Sequence, residues 1–313
     1  MRSVLVLLLV TTTLYGQTVE KAKTLFEASK PEEAKKLLAS IDEDHADYAA
    51  AQYYLGRIAF NQNKVEDAEA HFEEATEAND KVADYHYWYA SAMGRLAQQS
   101  NTFKQGVLAP RIKSEFEKTV QLDPNNLDAH WGLIEFYTQA PGFMGGSWEK
   151  AEQTAKNIQK INKAEGHRAM AVVYQREEKL TEAEGEFIQA YKTDPKMAPT
   201  LANFYLTTKK FDKAFTLFDD MLKKNPDDML ATYQIGKTSA ISGQKLELGE
   251  SCLVRYLRYQ PKENEPSHAG ANMRLAQIKE KKGNKPDAKK HFETALKLDP
   301  NLKEAKEGLA RLK

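Results

Sequence analysis

The chain has 313 residues, 41% of them apolar, enough for a sizeable core and too apolar for a disordered chain. Its 45 basic and 45 acidic side chains cancel, which argues against a general nucleic-acid binder with its basic excess. One cysteine, Cys252, excludes an intramolecular disulfide framework and a four-thiolate zinc site, and only 16 Gly and 11 Pro argue against a turn-rich sandwich or barrel.

The first expected element is an address. Arg2 is followed by the apolar run 4–10 and a milder stretch to Tyr15. That run is about half of the ~20 residues needed to span a bilayer. With the small Gly16 behind it, it reads as a cleavable secretory signal over residues 1–16, leaving Gln17 as the first mature residue. The mature chain is expected to be exported, periplasmic or secreted, with no membrane span. No cysteine follows the run to carry a lipid anchor.

Downstream, a small or apolar residue followed four positions later by a large one recurs along the chain. The first members are Ala34, Ala68, Ile112, Ala151, Ala183, Ala214, Gly249 and Ala288, at intervals of 34, 44, 39, 32, 31, 35 and 39 residues. Their partners are Leu38, Phe72, Phe116, Ala155, Phe187, Phe218, Leu253 and Phe292, and Ala75, Ala190 and Ala295 follow three later. Spacings of four and three place these residues on one helical face. Helix stops close the units at Asp123-Pro124, Asp194-Pro195, Asn225-Pro226, Gln260-Pro261 and Asp299-Pro300. Each unit also has an earlier helix, marked by Leu55-Gly56, Leu133-Ile134, Met170-Ala171, Leu201-Ala202, Ile235-Gly236 and Leu275-Ala276.

Two helices per unit of about 34 residues, with small residues at the crossings, resemble the tetratricopeptide-repeat (TPR) family. The resemblance spans nearly the whole mature chain, best at 49–82 and 269–302. It implies an all-α fold, a right-handed α-solenoid of about eight helix-turn-helix repeats. The units are expected at 17–48, 49–82, 83–126, 127–163, 164–194, 195–228, 229–268 and 269–302, with a capping helix over 303–313. One helix pair cannot bury its apolar face alone, so neighbours must stack. Three departures stand out: a long turn expected over 94–109, a shorter insertion at 140–147, and a third at 262–268. The first two are expected side by side, forming a lip with Phe103, Phe143 and Met144 that packs together or meets a partner.

Catalytic chemistry is hard to find. The seven histidines lack metalloprotease spacing, and His86, His130 and His167, equivalent in three successive units, are expected to pack rather than bind metal. Gly145-Gly146-Ser147 matches neither a phosphate loop nor a nucleophile elbow. No enzyme activity, cofactor or metal is expected. In the TPR family the first helix of each unit lines a concave groove. The resemblance assigns that surface to Tyr53, Arg57, Tyr87, Trp131, Glu135 and Arg168, as partner contacts or as packing between units. The Lys and Asn arrangement by which some relatives clamp a C-terminal carboxylate is not reproduced. The expected function is a non-catalytic envelope scaffold binding a protein or peptide segment through this groove and the lip, with no nucleic acid. The alternative is a structural accessory of an envelope assembly or secretion complex; a carbohydrate-binding module or enzyme is the remaining reading. Residues 17–80 hold 15 acidic and 7 basic groups, and 279–313 hold 11 basic and 6 acidic, a polarity able to orient a charged partner.

Overall fold

The computed structural model describes residues 18–312, so the signal expected over 1–16 lies outside the described residues. All regular structure among the described residues is helical. Eight helix pairs follow one another: α1 (residues 18–27) with α2 (Pro31–Leu38), α3 (Tyr48–Asn61) with α4 (Val65–Ala78), and α5 (Ala83–Gln98) with α6 (Thr102–Leu122). Next come α7 (Leu127–Gln139) with α8 (Trp148–Ile161), α9 (Lys163–Arg176) with α10 (Leu180–Thr193), and α11 (Ala198–Thr207) with α12 (Phe211–Lys224). The series closes with α13 (Met229–Ser242) and α14 (Leu246–Tyr256), α15 (His268–Lys281) and α16 (Lys285–Leu298), and a terminal α17 (Lys303–Arg311).

The turn inside a pair has a local cause. Ser29, Asn63, Glu178, Lys209 and Gly283 all adopt positive φ just past a first helix. The next residue's N–H then reaches back to a carbonyl of the last turn, as in Lys64 to Ala59 and Lys179 to Tyr174, both at 2.9 Å. This closes the helix end and reverses the chain within about three residues. Between most pairs the second helix stops at an extended Asp or Asn, though α2 and α14 end at Ala39 and Leu257, and side chains such as Asn126, Asn162 and Asp228 accept the first free N–H groups of the next helix.

The four-three pattern is the buried one. Ala68, Phe72 and Ala75, and likewise Ala288, Phe292 and Ala295, are fully buried. The Phe72 ring lies against Gly56 of α3, where an added Cβ would sit 2.6 Å from it. A second rule runs between the helices of a pair. Gln52 meets His71 (2.6 Å), His86 meets Glu115 (2.5 Å), His167 meets Glu186 (2.6 Å) and Asn272 meets His291 (3.0 Å). Each joins the residue four before the first-helix crossing to the residue three past the second-helix one. His130 takes the same place on α7, bonding the Pro124 carbonyl through Nε2 at 3.0 Å. The aligned histidines thus bind neighbouring backbone and side chains inside the stack.

The chain divides into two compact units, one ending at Glu186 and one beginning at Phe187. In the first, the long turn expected over 94–109 is corrected: α5 continues to Gln98 and α6 starts at Thr102, capped by Asn101. The added residues became helix. α6 has 21 residues against 14 in α4, and a seven-residue excess adds two turns while keeping the buried face in phase. Phe103 therefore stands on a helix, not in a loop. The insertion at 140–147 is a loop, containing a short 3-10 turn at Gly142–Met144.

Candidate binding groove

The extra turns of α6 and the 140–147 loop border a groove of about 780 Å³ in the first unit. α5 supplies Ser91 and Arg95 to it, α6 Ile112, α7 Trp131 and Glu135, and the loop Met144. Gly132 lets α7 approach α6: a Cβ there would stand 2.5 Å from the Phe116 ring, which lies on the groove floor. Met144 ties the two inserted segments together, its Cε 3.7 Å from where a Cβ on Gly106 would be. Phe103 and Phe143 remain 82% and 90% exposed, beside a fairly exposed Val107 one turn along α6 from Phe103.

Beside this groove runs a ladder of rings and guanidinium groups. Arg95 lies over the Phe60 ring, its Cζ 3.6 Å from the centroid, and Nη1 donates to the Phe60 carbonyl at 3.2 Å. Phe60 meets Trp88 edge-on at 5.3 Å, and Arg57 lies over Trp88 at 3.9 Å. Arg57 also faces Phe26 and Tyr53, at 5.5 and 5.6 Å, and Nη1 donates to the Tyr53 hydroxyl at 2.7 Å. Rings from α1, α3 and α5 therefore box one side chain.

The expected groove residues separate on inspection. Tyr53 is 8% exposed and packs tilted against Tyr85 at 5.0 Å, so its ring fills space between α3 and α5 and, with its hydroxyl, meets Arg57. Burial raises its hydroxyl above the usual tyrosine range, and pushes Tyr85 up to about 12. Tyr87 is half-buried against Trp88 and Phe116. Trp131 lines the groove under Arg168, whose Cζ is 4.1 Å from its ring and whose Nε donates to Glu165 at 2.7 Å. Glu135 is exposed at the groove edge, 3.7 Å from Arg176. Sequence reasoning passed over Arg95 and Phe60; Arg95 stands seven residues after Trp88, on the same helical face, which was the available signal.

The second unit offers a different surface. Its hollow of about 510 Å³ is lined by Glu247, Glu250, Arg255, Arg258 and Lys282, and Lys282 bonds Glu250 at 3.0 Å. On its first helices, Tyr233 is buried beside Arg274, which pairs with Glu304 of α17 at 2.9 Å. No group of three His, Cys, Asp or Glu suited to a metal ion occurs among the described residues, and no described helix is long and apolar enough to cross a membrane. Cys252 is free and half-buried, at the second-helix position filled by His71 and His291 elsewhere.

A fold made only of consecutive helix pairs with small residues at their crossings defines an α-helical repeat protein. Family models described as tetratricopeptide repeat match residues 25–93 and 269–302. Among solved structures, a tetratricopeptide repeat protein from Parabacteroides merdae aligns over 95% of this chain and 98% of its own, at 16% identity and a TM-score of 0.54. The C-terminal part of a TPR repeat-containing protein from Cytophaga hutchinsonii covers 93% and 99%, at 15% identity and a TM-score of 0.47. A thermophilic TPR protein from Thermus thermophilus covers 58% and 94%, at 21% and 0.41. The first of these, with its TM-score of 0.54, shows a shared fold. No curated protein matches the sequence. The chain thus carries tetratricopeptide repeats at residues 25–93 and 269–302 and shares the helical fold of tetratricopeptide-repeat proteins.

Proposed function

We propose that this protein is an exported, non-catalytic scaffold that holds a protein or peptide segment on the inner face of its first unit. TPR folds are protein-interaction scaffolds, and the observation carrying the finer reading is the groove between α5, α6 and α7. It combines an apolar floor with polar walls, as peptide sites do. Trp131, Glu135 and Arg168 form one wall, Tyr87 and Arg57 continue the surface, and Phe103, Phe143 and Met144 form its lip. The helix pairs act as the repeat units bounded as above, residues 1–16 as a signal removed on export, and α17 as the cap.

The test is affinity capture from the native envelope fraction with mature protein and with Trp131→Ala/Glu135→Ala. A defined partner retained by the first and lost by the second, at unchanged melting, is the expected result. Equal recovery by both would move binding away from this groove. Intact-mass measurement in the native host should show loss of residues 1–16, and a full-length cytoplasmic product would overturn the export assignment.

A further inference from the structure

Six of the nine arginines among the described residues pair with a carboxylate. Arg111 meets Glu73 at 2.5 Å, Arg168 meets Glu165 at 2.7 Å, Arg255 meets Asp227 at 3.0 Å and Arg311 meets Glu280 at 3.1 Å. Arg57 and Arg95 differ. Among the described residues neither has a carboxylate partner, although residues 17–80 are strongly acidic. Arg258 shares that lack, but it is exposed and has no described ring beneath it. Arg57 and Arg95 are half-buried, stacked on Trp88 and Phe60, and joined through the contact between those rings. Arg57 Nε is buried without any hydrogen-bond partner.

The physical consequence is a pair of pre-positioned, under-used forks. Stacking fixes each guanidinium plane, so little side-chain entropy is lost when its edge binds an anion. Partial burial lowers the effective dielectric and strengthens such a contact relative to one in open water. The second unit shows what this chemistry accepts. Arg274, also half-buried, beside a buried tyrosine and with an unpartnered Nε, takes the side-chain carboxylate of Glu304, carried on the amphipathic helix α17. In the first unit no carboxylate among the described residues takes the corresponding place.

Building on the scaffold reading above, we infer that Arg57 and Arg95 receive the side-chain carboxylates of an acidic, apolar segment of the partner. Its acidic side chains meet the two guanidinium edges, and an apolar side chain enters the groove between Ile112, Trp131 and Met144. The unit's acidic surroundings oppose the approach of any other acidic surface, so selection comes from short contacts at the two arginines rather than from long-range steering.

The experiment uses mature protein and three end-blocked, fluorescein-labelled hexapeptides: acetyl-Glu-Leu-Glu-Phe-Glu-Leu-amide and its Gln and Lys counterparts. A fourth probe carries the Gln sequence with a free C-terminal carboxylate. Fluorescence anisotropy should show the Glu probe binding at least about ten-fold tighter than the blocked Gln and Lys probes, the size of one charge-assisted contact. Arg57→Gln and Arg95→Gln should each reduce that preference, and Arg→Lys at either site should restore only part of it. Melting curves accompany each variant; if Arg57→Gln fails to fold, the Arg95 pair decides. Equal binding of Glu and Gln probes, or a Glu preference untouched by both variants, overturns the inference while leaving peptide binding by the groove intact. Preference for the free C-terminus over the Glu probe also overturns it, in favour of terminal-carboxylate recognition. Binding of none of the four probes overturns the inference, and partner capture in the preceding test then separately decides the scaffold reading.

Discussion

Two first-helix surfaces of this chain, one in each unit, are built from the same materials and finished differently. Around α3 and α5, arginine sits in a box of rings with no carboxylate to meet it; around α13 and α15, Arg274 sits beside Tyr233 and is neutralised by Glu304. The cores behind them are alike, an alanine-phenylalanine-alanine series buried to nothing in each. An α-helical repeat separates two demands that a globular fold mixes. Stability is carried by crossings between helices, while the outward face of each first helix is free to be completed by the chain or left for a partner.

The largest effect expected concerns what the two regions share. Phe72→Ala and Phe292→Ala each remove a fully buried ring lying against a glycine, Gly56 and Gly308 respectively. Each should cost about 3–5 kcal/mol, read as loss of thermal or urea stability. If one were nearly neutral, the shared-core half of the comparison would fail. Ala183→Glu belongs with them, forcing a charge into a fully buried crossing at about 3 kcal/mol or more.

A smaller contrast probes the difference directly. Arg274→Met breaks a pair whose arginine is largely buried but whose Glu304 is 55% exposed, so solvent discounts the loss to about 1 kcal/mol. Arg57→Met breaks no ion pair and keeps the apolar stem against Trp88 but loses the ring contact and the bond to the Tyr53 hydroxyl, so about 0.5–1 kcal/mol is expected. Paired chemical denaturation of the two variants checks the order. A larger loss at Arg57 would mean that its role is structural.

Much of this was readable in the residue order. The four-three series predicts the buried faces because a helix repeats every 3.6 residues, and Phe72, Phe187 and Phe292 all occupy the interior. The extension of α6 was not readable in that way: Gly94, Gly106 and Pro110 suggest a turn, yet a seven-residue insertion leaves a helix in phase and its propensity is overruled by packing. The arginine box was hidden for another reason. Phe26, Tyr53 and Trp88 come from three helices, and no local spacing states that they converge. The polar contacts within pairs did leave a trace, a separation of 19 residues shared by Gln52–His71, His167–Glu186 and Asn272–His291.

Those contacts predict a pH response common to both regions. Burial, their largest influence, holds His71 and His291 below the usual histidine range. The unfolded chain takes up protons near pH 6.5, whereas the folded chain resists until lower pH. Stability therefore rises with pH across that window and falls as pH drops below about 6.5. Melting temperatures from pH 7.5 to 5 should decline, and His71→Gln with His291→Gln should flatten the decline. An unchanged slope in the double variant would assign the acid response to other groups.

The smallest stability effect belongs to the most conspicuous side chains. Phe103 and Phe143 are 82% and 90% exposed, so Phe103→Ser and Phe143→Ser should leave stability within about 0.5 kcal/mol. Loops and helix ends that present large apolar groups to water without a packing return are where partner contacts concentrate. Met144 behaves differently: it is half-buried and reaches toward Gly106, so it holds the 140–147 loop against α6 while its neighbour points outward. Shortening 140–147 to a plain turn would remove both functions at once, and it should lower partner capture without loss of helicity. The two serine variants separate the functions. If Phe103 and Phe143 meet the partner, capture falls in the double variant while melting is unchanged, and the remaining arginine-dependent preference for acidic probes persists. If capture is unchanged and only the shortened loop is defective, the loop serves to brace the groove wall, and the open surface of the first unit is then confined to the arginine ladder and the hollow beside it.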